Sequence, residues 1–71
     1  MTQNERVLDY INRRGSITQQ EASEHLGVAR LASRVNDLRK QGHPIISEAV
    51  VGKNRFGEPC RWARYRMGAR V

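Results

Sequence analysis

Seventy-one residues allow one small domain with a modest core and leave no room for a separate catalytic domain. Lys and Arg number 13 against 7 Asp and Glu, a net charge of +6 with a pI near 10.8, which is the balance of a protein that meets a polyanion. A single cysteine, Cys60, excludes an internal disulfide framework, and no apolar stretch reads as a signal peptide or membrane span, so a cytoplasmic setting is expected.

The charge is uneven along the chain. Residues 1–29 hold three Arg (Arg6, Arg13, Arg14) against four acids (Glu5, Asp9, Glu21, Glu24), net −1. Residues 30–71 hold the other ten bases against Asp37, Glu48 and Glu58, net +7. A surface for a polyanion therefore belongs to the second half.

In chain order, Thr2-Gln-Asn-Glu5 fits a capping box, in which the Thr hydroxyl meets the Glu5 N–H while the Glu side chain reaches back. Val7, Leu8 and Ile11 recur on one face and Gly15 suits the position past a helix end, which predicts a first helix over about residues 3–13. Ser16-Ile17 reads as a short extended bridge, with Ile17 available to pair with a later hairpin. Thr18-Gln-Gln-Glu21 repeats the capping signature, so Thr18 caps a second helix running to about His25. Gly27 then supplies the positive φ of a sharp turn, and Ser23 is the small residue facing the next helix. The third helix is expected from near Ala29 to near Gln41. Leu31, Val35 and Leu38 form its apolar stripe with Val28, and Ala29, Arg30, Ser33, Asn36, Asp37 and Lys40 lie opposite, flanked by Arg34 and Arg39.

After His43-Pro44 the pattern changes from helical to strand-like. Ile45–Val51 and Cys60–Met67 flank the polar loop Gly52–Pro59, which predicts a hairpin. Ala63, Tyr65 and Met67 are assigned to its core face and Trp62, Arg64 and Arg66 to the other, with residues 67–71 as a tail. The reading is thus one α+β domain over residues 1–71, a winged helix-turn-helix of three helices followed by a two-stranded hairpin whose loop is the wing.

Leu26-Gly-Val-Ala-Arg-Leu-Ala-Ser-Arg-Val-Asn-Asp-Leu-Arg-Lys-Gln-Gly-His-Pro-Ile45, Asn54-Arg-Phe-Gly57 and Ala63-Arg-Tyr-Arg-Met67 together resemble the small helix-turn-helix domain proteins encoded by bacteriophages and prophages. The resemblance covers nearly the whole chain. It implies a DNA-binding winged helix, regulatory in role, in a bacterial host cell, and it carries over no catalytic residue.

On this reading Arg30, Ser33 and Arg34 sit where a recognition helix reaches base edges, because Arg bonds guanine O6 and N7 bidentately and Ser bonds several edges. The competing role for Arg34 is a surface ion pair with Asp37. Asn36 suits adenine or a phosphate, and Lys40 lies on the same reading face. At the wing, Lys53, Asn54 and Arg55 are candidates for the minor groove or backbone, with Gly52 and Gly57 letting the chain approach; the alternative is an ordinary polar turn. Arg64 and Arg66 either face phosphate or stack on Trp62. His25, His43 and Cys60 are too few and badly spaced for zinc, and no nucleophile, paired-carboxylate or phosphate-loop motif stands in a supporting context, so neither a metal, a cofactor nor an enzyme is expected.

The partner expected is double-stranded DNA, bound by a transcriptional regulator. An excisionase-like architectural factor is the alternative, and a winged helix used for protein contact is a second. With no extra helix to form a seam, a monomer in solution is expected, pairing on DNA being left open.

Overall fold

In a computed structural model that describes residues 1–68, the order is α1 (Gln3–Arg14), β1 (Ile17–Thr18), α2 (Gln19–Glu21) running directly into a π-helical segment (Ala22–Leu26), α3 (Leu31–Lys40), β2 (Ile45–Lys53) and β3 (Pro59–Met67). The α+β winged architecture expected from the residue pattern is present. Its sheet, however, is three-stranded.

α1 begins with the capping box formed on both sides: the Thr2 hydroxyl accepts from the Glu5 N–H at 3.1 Å, and the Glu5 carboxylate accepts from the Thr2 N–H at 3.3 Å. These bonds, the backbone one foremost, hold the Glu5 carboxyl below its usual range. The helix stops at Gly15, whose N–H returns to the Ile11 carbonyl at 2.7 Å. Ile17 and Thr18 then pair antiparallel with Tyr65 and Arg64, giving the strand order β1-β3-β2. Two residues carry no periodicity of their own. The third strand exists because Ile17 is fully buried and its backbone polar groups need partners there.

The second capping box also forms, with the Glu21 N–H on the Thr18 hydroxyl at 3.2 Å and the Thr18 N–H on the Glu21 carboxylate at 3.0 Å. Beyond it the expected α-helix widens into a π turn. The N–H groups of Gly27 and Val28 both return to the Ala22 carbonyl, and Gly27 adopts φ +67, a left-handed conformation that favours glycine. The chain then reverses and delivers Val28 into the core.

One apolar cluster joins the elements: Val7 and Ile11 from α1, Ile17, Ala22, Val28, then Leu31, Val35 and Leu38 from α3, and Ile45. All nine are buried, and each contributes about 1.5–3 kcal/mol when it is a full-sized aliphatic side chain. The Arg39 guanidinium Nε donates to the Ile45 carbonyl at 2.9 Å, tying the end of α3 to the start of β2.

β2 and β3 pair over nine positions, from Ile45 opposite Met67 to Lys53 opposite Pro59. Only the base of this hairpin reaches the core. Tyr65 and Met67 pack there as expected, whereas Ala63, assigned to the same face, is exposed because the hairpin has run past the helices by that point. The expected tail also starts later than Met67. That residue closes β3, and the Gly68 N–H bonds the Pro44 carbonyl; residues 69–71 of the tail lie outside the described residues.

Candidate nucleic-acid interface

The turn between α2 and α3 is clipped by one side chain. The Gln19 amide nitrogen donates to the Val28 carbonyl at 2.9 Å and to the Ser23 hydroxyl at 3.0 Å, while its oxygen accepts the Leu31 N–H at 2.9 Å. Gln19 therefore satisfies a free N–H at the start of α3 from across the turn, doing the work usually done by the residue at the helix mouth. Residue pattern alone does not point to Gln19, since glutamine has no special preference for that role. Its signal was only its position, one residue after the capping Thr18.

This clip explains a correction. α3 starts at Leu31, two residues later than Ala29, and Arg30 stands at its mouth with φ −127 and ψ 74 and no side-chain cap bond. The Arg30 side chain is exposed at the helix N-terminus. Along α3, Ala32, Asn36, Arg39 and Lys40 are exposed, and Ser33, Arg34 and Asp37 are half-buried. Arg34 and Asp37 form the ion pair weighed against base contact, at 3.3 Å. Such an i,i+3 pair is worth about 0.3 kcal/mol, little enough for a phosphate or a guanine to displace.

The wing tip is a built turn. The Gly57 N–H donates to the Asn54 carbonyl at 3.0 Å, making Arg55 and Phe56 its central pair. The Asn54 side-chain oxygen accepts the Phe56 N–H at 2.9 Å and the Glu58 N–H at 3.1 Å. That oxygen is taken up by the loop, which leaves the Asn54 amide NH₂ as the group free to meet a partner. Lys53 and Arg55 are exposed beside it.

A family model described as a winged helix-turn-helix domain matches residues 2–70. The chain belongs to that family. No curated protein and no solved structure matches it. Membership in the winged helix-turn-helix domain family points to DNA binding, and the fold is typically non-enzymatic. No helix among the described residues is long and apolar enough to cross a membrane.

In this winged domain the remaining candidates lie on the outer face of the hairpin. Arg64 and Arg66 both bond the Glu48 carboxylate, Arg64 at 3.0 Å. The Arg66 bond first, and then that of Arg64, hold the Glu48 carboxyl below its usual range. Both guanidinium groups thus go to Glu48 rather than to the Trp62 ring. Trp62 instead lies over Gly52, where a Cβ would come within 2.7 Å of the indole. Gly52 is needed for that close approach, whatever it also permits toward DNA. A cleft of about 690 Å³ opens beside the indole, with Thr18 to Glu21 on one wall and Lys53, Asn54, Arg55, Cys60 and Trp62 on the other. The fold thereby brings the wing candidates opposite the start of α2; the α3 candidates line no part of this cleft among the described residues.

Proposed function

We propose that the protein is a sequence-specific double-stranded DNA-binding protein of phage or prophage type, acting as a transcriptional regulator, with α3 in the major groove and the wing on the backbone or minor groove. The observation that carries this reading is the composition of α3: an exposed side bearing Asn36 and Lys40, Arg30 at its mouth, and one acid, Asp37, already paired to Arg34. Arg30 and Arg34 read bases, Ser33 and Asn36 assist, and Lys40 with Lys53, Arg55, Arg64 and Arg66 meets phosphate.

The test is the double substitution Arg30→Ala, Arg34→Ala in a mobility-shift titration against DNA selected from genomic fragments. Loss of two base-reading arginines is expected to cost at least about 2 kcal/mol, roughly thirtyfold in affinity, and to flatten the dependence on salt. Unchanged affinity and salt slope would remove α3 as the reading helix and favour a role in protein contact. A second reading, an excisionase-like architectural factor, is favoured by one observation, the exposed Phe56 at the wing apex. Footprints separate the two: a single operator across a promoter marks a regulator, and several tandem sites beside an attachment site mark the architectural factor.

A further inference from the structure

Phe56 is 77% exposed at the apex of the hairpin, and the loop is organised to keep it there. Two bonds to the Asn54 side-chain oxygen, the Gly57 N–H on the Asn54 carbonyl, and the Asn54 N–H on the Glu58 carbonyl at 3.0 Å fix the backbone on both sides of the ring. Gly57, at φ +76, completes the turn. A scattered apolar side chain on a surface needs no explanation by itself. Phe56 differs in position and company. Val51, 70% exposed, lies within a strand, and Trp62 is occupied against Gly52. Of the exposed large apolar side chains, which also include Met1 and Ile46, only Phe56 lies in the turn itself, next in sequence to Arg55, with Lys53 and the acid Glu58 flanking the turn.

We propose that Phe56 is a wedge that enters between base pairs from the minor groove while Lys53 and Arg55 hold the flanking phosphates, so that binding unwinds and kinks the duplex. This rests on the DNA-binding reading above. A wedge must be apolar and thin, must stand on a backbone that does not yield when it meets the stack, and must have cations beside it to hold the separated strands. The ring provides the first, the Asn54 bonds the second, and Lys53 and Arg55 the third. The cost of unstacking falls least on flexible pyrimidine–purine steps, so the wedge also prefers those steps without any hydrogen bond to a base.

The experiment uses closed circular plasmid relaxed by a topoisomerase in the presence of the full chain, followed by removal of protein and separation of topoisomers. Bound protein is measured in parallel by mobility shift on the same plasmid. The wild-type protein is expected to shift the topoisomer distribution in proportion to the amount bound. Phe56→Ala is expected to lose at least about four-fifths of the shift per bound protein, and Phe56→Leu, which keeps an apolar wedge, to retain at least about half. An equal shift per bound protein for wild type and Phe56→Ala overturns the wedge, as does wild-type binding with no shift. Failure of the wild-type chain to bind plasmid at all overturns the DNA-binding reading itself, which keeps the two failures apart. Since Phe56 contributes nothing to the core, unchanged thermal melts for both variants are expected alongside.

Discussion

Gln19 is the residue whose effect most exceeds its surface appearance. Its three bonds close the turn and cap α3, so Gln19→Ala leaves the Leu31 N–H without its partner and the Val28 carbonyl with only the longer bond from the Ser23 hydroxyl at 3.4 Å. Urea denaturation is expected to show a loss of about 1–2 kcal/mol, in the range of a deleted helix cap with one further bond. DNA affinity should fall with it, because the clip sets where Arg30 stands. Glu48 has the opposite sense. It neutralises part of the charge on two arginines that would otherwise face solvent, and Glu48→Gln raises the net charge from +6 to +7. If the outer strand face meets phosphate, this variant binds DNA more tightly with a steeper salt dependence. Identical salt slopes for variant and wild type would place Arg64 and Arg66 away from the DNA.

Among the elements, α2 and the π segment are both secured to α1 through Tyr10. The Tyr10 hydroxyl donates to Glu21 at 2.9 Å, the Tyr10 ring stacks on His25 with centroids 6.1 Å apart, and the Arg14 guanidinium lies 6.0 Å over the same ring. Burial pushes the Glu21 carboxyl up, but the bonds from Tyr10 and Thr18 and the nearby His25 outweigh it, so the net shift is downward from 4.5. A depressed carboxyl stabilises the folded state above its unfolded value and loses that contribution as pH falls through the folded one. Melting temperatures recorded from pH 7 down to about pH 3 should therefore decline below about 4.5 in the wild type, and more gently in Glu21→Gln. Parallel declines would mean that Glu5 and Glu48, depressed by their own partners, carry the whole acid sensitivity.

At the scale of the molecule, one small core holds the helices and the base of the sheet, and the basic hairpin extends beyond it. Sedimentation without DNA is expected to give a species of 8.2 kDa. A dimer in that measurement would point to pairing along β2, which is an edge of the sheet. The amino-acid sequence by itself determined what local chemistry and periodicity can encode. Both capping boxes, the helix end at Gly15, the Leu31, Val35 and Leu38 stripe, the hairpin and the concentration of positive charge after residue 29 all follow from residues a few positions apart. What only the tertiary structure decided are contacts between residues distant in sequence or faces whose exposure depends on neighbours. Ile17 becomes a strand because Tyr65 lies beside it, and α3 starts at Leu31 because Gln19 caps it from another helix. Ala63 is left in water because the core ends below it, Trp62 is held by Gly52 ten positions away, and Arg64 and Arg66 converge on Glu48 across the ladder. The physical reason is common to them all: spacing along a chain specifies which side chains share a face, whereas burial and the partner of a polar group depend on what the rest of the fold places against that face.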